Sequence, residues 1–247
     1  MRYFLQLAYN GTNYSGWQRQ PNNPTIQQVL EEGFSLILRA KIEITGCGRT
    51  DAGVHASRFI AHFDFAGEFP PAFNNRINRF LPKDIAIHKI FPVAEDVHAR
   101  YDARKRSYEY HVVFEKNPFL TNTAYSINYG KKLDFDKLQE AAKLLLNYTD
   151  FFTFCKTNHD AKTTICDLMR SEWIQEDDGK RWVFYISANR FLRGMVRLIV
   201  GMCLNVAEGR LELETVRDAM ENQLQLQKAE SAPAHGLFLT EIVYPFL

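Results

Sequence analysis

The hydrophobic residues of this chain change period in a set order, and that order limits the fold more than any other feature. Residues 2–9 alternate apolar with polar and read as a strand, followed by a loop, GTNYSGWQRQPNNP, rich in turn formers. Asn23 and Pro24 then suit the cap and first position of a helix carrying Ile26, Val29, Leu30, Ile37 and Leu38 at helical spacing. Lys41 to Thr45 reads as a short strand. Phe59, Ala61, Phe63 and Phe65 alternate with Arg58, His62 and Asp64 on another. PPAFNNRINRFLP predicts a short helix with Phe73, Ile77, Phe80 and Leu81 inward, and IAIHKIFPV a strand after it. The first hundred residues thus spell β-α-β-β-α-β.

The second half nearly repeats the order. Arg106, Tyr108, Tyr110, Val112 and Phe114 fall on one strand face, and a helix is expected from Asp134 to Asn147. The strands TTICDLMRSEWIQE and RWVFYISA, joined by Asp178-Gly179, form a hairpin. A long helix from Arg190, a shorter one over Leu213–Gln225 and a closing strand, GLFLTEIVY, complete it. The expectation is an α+β protein of two ferredoxin-like (RRM-like) units, residues 1–102 and 103–247. Together they would form one broad mixed or antiparallel sheet with helices on one face. Residues 95–105 would be the crossing, without a long linker.

Between the strands of the first unit lies ITGCGRTDAGVHASRFIA, residues 44–61, which holds Gly46, Gly48, Gly53, Arg49, Asp51 and His55. Glycines at this density point to positive φ angles and a close approach by something else. Two readings stand side by side: an Asx-type turn whose carboxylate caps backbone N–H groups, or a chemical site built on Arg49 and Asp51. GCG is no nucleotide-binding loop, and neither Gly-x-Ser-x-Gly nor His-Glu-x-x-His occurs. A single carboxylate without metal or cofactor fits nucleophilic or proton-transfer chemistry at a sugar carbon better than hydrolysis by paired carboxylates.

With 46% hydrophobic and 24% charged residues the chain has the composition of a soluble globular protein. No run approaches the ~20 apolar residues that span a bilayer, and the N-terminal segment does not resemble a signal peptide, so no membrane and a cytoplasmic location are expected. Four cysteines without a C-x-x-C pair read as buried reduced thiols; Cys47 with His55 and His62 fits no common metal site. A net charge of +1 means that a polyanion must be met by local patches. Such patches exist. Arg190, Arg193 and Arg197 step by three and four along the expected helix, which suits either a solvated face or a clamp for phosphate or carboxylate. Arg100, Arg104, Lys105 and Arg106 adjoin Tyr108 and Tyr110, and Arg76 and Arg79 face outward from the short helix. Basic residues interleaved with aromatics suit RNA, although Tyr108 by itself reads as a core residue alternating inward with Tyr110.

GCGRTDAGVHA closely resembles the signature of the A-type tRNA pseudouridine synthases. YNGTNYSGWQRQP, PTIQQVLE, YDARKRSYEY, NRFLRGMVRLIVG and SAPAHGLFL stand in the order and at roughly the spacing of that family, so the resemblance runs from end to end. It implies cofactor-free, metal-free isomerisation of uridines 38, 39 and 40 in the anticodon arm of tRNA, by a homodimer gripping one tRNA. On this resemblance Asp51 is the catalytic carboxylate, as nucleophile or base. Arg49 prises out the base, Tyr108 stacks on it, Arg197 pairs with the carboxylate, and Leu237 is an apolar wall. Arg106, Arg190 and Arg193 are further candidates for substrate contact. Gly194 and Leu198 stand where relatives often carry polar residues, and KTNHDAKTTICDL matches only loosely. The rivals are a non-catalytic RNA-binding protein, which leaves the Arg and Asp of the glycine turn without a purpose, and a small-molecule nucleosidase, which needs no such spread of arginines.

Overall fold

The computed structural model describes residues 1–127, 132–155, 162–226 and 230–247. The protein is α+β and divides into two compact units, Met1–Arg104 with Phe238–Leu247, and Lys105–Leu237.

In the first unit the expected order is present: β1 (Arg2–Tyr9), α1 (Ile26–Leu38), β2 (Thr45–Gly46), β3 (His55–Asp64), α2 (Phe73–Phe80) and β4 (Ile85–Val93). β1 lies between β3 and β4, antiparallel to both, with β2 beside β3. Leu5, Leu7, Phe59, Ala61 and Phe63 are fully or almost fully buried on the face that α1 and α2 cover. There the Phe34 ring of α1 meets the edges of Phe63 and Phe73 at 5.2 and 5.4 Å. Burying side chains of this size contributes about 2 kcal/mol each, and this face is the unit's main core.

Several boundaries differ from the sequence reading, each for a local reason. The cap of α1 is Thr25, not Asn23: its Oγ1 accepts from the Gln28 N–H at 3.3 Å. Lys41–Glu43 stay outside β2. Phe80, expected inward, is 49% exposed at the last position of α2. The closing strand, β9 (Leu237–Val243), pairs in parallel with β3 through His55↔Phe238 and Ala56↔Leu239, so residues 238–247 belong with the first unit. The face opposite the helices is also partly covered, by residues of the 94–104 segment and the C-terminal tail: Phe4 packs edge-on against Tyr244 and Phe246, and the Tyr244 hydroxyl donates to the Ala99 carbonyl at 2.6 Å.

On that face His62 is buried beside His98, ring centroids 4.7 Å apart, and its Nδ1 accepts from the Ala99 N–H at 3.2 Å. Burial first, then Arg2 and His98, push its pKa from 6.5 down to about 4. The folded state therefore holds fewer protons than the unfolded chain between those values. The stability this provides is full above about 6.5 and is lost as the pH falls through that value towards about 4. The loss is up to about 3 kcal/mol, from roughly 1.4 kcal/mol per pKa unit. Denaturant unfolding at pH 7, 6, 5 and 4.5 is expected to show this decline, and His62→Gln is expected to flatten it. Equal slopes in parent and variant would refute the assignment.

The second unit contains β5 (Lys105–Val113), β6 (Tyr125–Ser126), α3 (Phe135–Leu144), β7 (Leu168–Glu176), β8 (Arg181–Ala188), α4 (Met195–Ala207) and α5 (Leu213–Glu221). β8 runs antiparallel between β5 and β7, and the short β6, not foreseen in the sequence, is parallel to β5. Gln139 of α3 satisfies both backbone groups of Trp173 on β7, accepting from its N–H at 2.8 Å and donating to its carbonyl at 3.2 Å. The amphipathic helix expected from Arg190 is shorter and more apolar than expected. Gly194, at φ 72°, sets its start, and every residue from Met195 to Ala207 is buried except Arg197. Arg190 and Arg193 precede it in irregular chain, so the three arginines do not share a helical stripe. Part of the loosely matching segment, 156–161, lies outside the described residues.

Candidate active site

Residues 47–54 of the first unit form the turn between β2 and β3, and a second loop, residues 10–17, locks it in place. The Trp17 N–H donates to the Thr50 carbonyl at 3.2 Å, the Gly53 N–H to the Tyr14 carbonyl at 3.2 Å, and the Gly11 N–H to Nδ1 of His55 at 3.0 Å. Within the turn, the Val54 N–H closes on the Asp51 carbonyl at 3.2 Å. The locking loop is itself tied down at both ends. The first N–H groups of α1, which have no partner inside the helix, donate to it: Ile26 to the Gly16 carbonyl at 3.2 Å and Gln27 to the Trp17 carbonyl at 3.0 Å. Tyr14 donates to Oδ1 of Asp84 at 2.6 Å, and burial together with this bond pushes its hydroxyl pKa well up, so it stays protonated.

Three glycines make the interlock possible, and at the first of them, Gly11, a Cβ would collide with the Val54 carbonyl oxygen. Gly16 has φ 91°, and a Cβ there would collide with the Thr50 carbonyl oxygen and crowd the Asp51 and Ala52 backbone. Gly53 has φ 78°. The other two glycines of the signature, expected to need positive φ, do not adopt it. Gly46 is instead required for space, since a Cβ would press on the Trp17 indole, which stacks on Phe59 at 4.1 Å. The result is a turn whose backbone is held from beneath by aromatic rings and from the side by main-chain hydrogen bonds. Asp51 is partly exposed on it and Arg49 is exposed. His55 is buried and stacked on Phe238 at 4.6 Å; accepting through Nδ1, it is the neutral tautomer with its proton on Nε2. Among the described residues no group of three His, Cys, Asp or Glu side chains is placed to hold a metal ion, and all four cysteines are buried thiols.

In the second unit, Arg106, Tyr108, Arg190, Arg193 and Arg197 lie around the start of α4. Arg197 stands in its first turn, with Nε donating to the Ala232 carbonyl at 2.7 Å while the Ala232 N–H returns to the Arg197 carbonyl at 3.0 Å. The strap at 230–236 lies close on α4 at Gly201 and is tied to β5 by the Tyr110 hydroxyl, which donates to the Pro233 carbonyl at 2.9 Å. Leu237, at its end, is buried. Tyr108 is half-buried on β5 with its ring edge-on to Phe191 at 5.2 Å, and it is Tyr110, two residues on, that enters the core. Arg106 donates to the Asn189 carbonyl at 2.7 Å and so pins the loop that carries Arg190, Phe191 and Arg193 into α4. Arg193 is exposed and Arg190 half-buried. Arg106, Tyr108 and the 189–197 segment are thus one neighbourhood, on which Arg193 is exposed.

Tyr9, Tyr14, Gly16, Trp17 and Thr50, and the strap residue Ala232, carry no individual role in the sequence pattern. Gly11 and Gly16 bracketing an aromatic, polar run was the available signal for the first group.

Among known proteins, the family described as tRNA pseudouridine synthase matches residues 7–102 and 141–245. A protein of Porphyromonas gingivalis named tRNA pseudouridine synthase A is 44% identical over 247 residues, covering 99% of this chain and 97% of its own. The protein of that name in Bacteroides fragilis is 46% identical over 246 residues, covering 99% and 96%. The one in Clostridium acetobutylicum is 35% identical over 241 residues, covering 97% and 98%. The segments matched by the family hold the Asp51 turn, its locking loop, Arg197 and Leu237; Arg106 and Tyr108 fall in the interval between them.

Proposed function

The chain belongs to the tRNA pseudouridine synthase family, and from that premise we infer that it isomerises uridine to pseudouridine in tRNA. The observation that carries the reading to particular atoms is the interlocked turn that presents Asp51, because a carboxylate on an over-determined backbone is pre-organised for chemistry rather than for capping.

Asp51 acts on the ribose of the target uridine, as nucleophile at the anomeric carbon or as base at the neighbouring one, while the N1–C1′ bond breaks. The freed uracil turns, C5 bonds to C1′, the C5 hydrogen leaves as a proton and N1 takes one up, so mass is conserved. No redox partner or co-substrate enters this balance. Reaction at the sugar requires the base to leave its stack, and exposed Arg49 is the group placed beside Asp51 in sequence to hold it out. Tyr108 stacks on the flipped ring and Leu237 offers it an apolar wall. Arg197, anchored through Nε, is assigned to the same catalytic set. Arg106 orders the loop bearing Arg190 and Arg193, which contact tRNA phosphates. The substrate region is the anticodon arm, and the working form is a cytoplasmic homodimer, for which light scattering is expected to return twice the chain mass.

Chemical mapping of pseudouridine in a tRNA transcript incubated with protein alone tests the reading. Modified positions confined to the anticodon arm are expected. An unmodified transcript that is nonetheless bound would leave only RNA binding, and released uracil would indicate a nucleosidase.

A further inference from the structure

We propose that Thr50, held by Tyr9, is a positioning residue that sets where the Asp51 carboxylate lies; the inference rests on the reading of Asp51 as the group that acts on ribose. Thr50 immediately precedes Asp51, and its carbonyl and hydroxyl groups both reach fixed partners. Its carbonyl accepts from the Trp17 N–H at 3.2 Å, and its Oγ1 is 2.9 Å from the Tyr9 hydroxyl, a bond in which either oxygen can donate. Two attachments on different sides of one residue fix its orientation, and the direction in which the next residue leaves is fixed with it.

The Tyr9 end is equally restrained. Tyr9 is the last residue of β1, the strand paired on both sides, and is 4% exposed; Thr50 is 8% exposed. Its ring packs against Phe59 and Trp17, with centroids at 5.6 and 6.3 Å, so the hydroxyl has little room to swing. A bulge in the β1–β3 pairing falls at this point: Leu7 opposes Phe59, but Tyr9 opposes Ala56, leaving Ser57 and Arg58 both outward. Bulges re-aim side chains beside functional sites, and this one carries Tyr9 to the base of the turn. Water is excluded from the bond, so loss of either hydroxyl leaves the other without this partner in an apolar pocket. Trp17 and Gly16 already hold the turn's backbone, so the extra bond is not needed to form the turn. Its specific effect is on the aim of the Asp51 side chain.

The test is a double-mutant cycle on single-turnover modification of a tRNA transcript, at saturating enzyme and well below every melting temperature. Thr50→Val and Tyr9→Phe each remove one hydroxyl with little change of shape. Each is expected to slow the reaction about tenfold, the equivalent of one hydrogen bond, with tRNA affinity unchanged. The double variant is expected to be no slower than the slower single one, and Thr50→Ser, which keeps the hydroxyl, to stay within about twofold of the parent. Parent rates in Thr50→Val or Tyr9→Phe accompanied only by lower melting temperatures would overturn the inference, as would losses that multiply in the double variant. Asp51→Asn separates the two layers. If it reacts like the parent, the reading of Asp51 itself fails; if it is inactive while Thr50→Val is unimpaired, only the positioning role fails.

Discussion

An Asp51→Asn protein is expected to bind a tRNA transcript as the parent does and to leave its uridines unmodified, with a loss of at least about a thousandfold in single-turnover rate. Asparagine preserves the volume of the side chain and disturbs none of the main-chain bonds that shape the turn, including that from the Val54 N–H to the Asp51 carbonyl. What it removes is the charge and the basic or nucleophilic oxygen. Asp51 is only partly buried, so the substitution leaves no charge stranded in a core, and the melting temperature is expected to move little. A small loss of rate with a large loss of melting temperature would return Asp51 to the role of a turn cap.

The second large effect is expected from Gly16→Ala, a substitution in a loop that carries no reactive group. At φ 91° an alanine is strained, and its Cβ would meet the Thr50 carbonyl oxygen and the Asp51 main chain. The neighbours are backbone, which cannot rotate away as a side-chain tip can. The locking loop must therefore shift relative to the turn, breaking the Trp17–Thr50 bond and carrying Asp51 with it. A stability loss of about 2 kcal/mol or more is expected, together with a rate loss of about a hundredfold in the protein that remains folded, since displacement of a reacting group by about 1 Å has that cost. Gly48→Ala is the control for stability: Gly48 has no positive φ, and nothing lies within 4 Å of an added Cβ. Denaturant unfolding and single-turnover rates of both variants check the expectation, and a Gly16→Ala protein as active as the parent would show that the interlock does not set the site.

The order of elements in the first unit is legible because apolar residues recur at every second position: Phe59, Ala61 and Phe63 enter the core under α1 and α2, although Ile60 and His62 between them are buried as well. The second unit is harder. Arg190, Arg193 and Arg197 satisfy a helical period by coincidence, and Gly194, whose positive φ sets the start of α4, looks in sequence like an ordinary member of the helix. The pairing of β9 with β3 cannot be read at all, because it joins residues nearly two hundred positions apart through backbone groups that every residue carries. For the same reason the locking loop escapes notice. Its holds on the Asp51 turn are carbonyls and N–H groups, while the sequence displays only the glycines that permit the approach. Asp51 itself stands out through its turn and through resemblance to a family, whereas the parts that fix it in place required the structure.

Isomerisation must displace the hydrogen at C5 of the target uracil, and tracking that hydrogen tests the assigned chemistry without relying on any variant. A tRNA transcript carrying tritium at C5 of its uridines, incubated with the protein and no added cofactor, is expected to release tritium to water in step with pseudouridine formation while the transcript keeps its length and mass apart from the exchanged isotope. Retention of tritium by a transcript that binds normal, folded protein, or release accompanied by free uracil, would rule out uridine isomerisation by this protein.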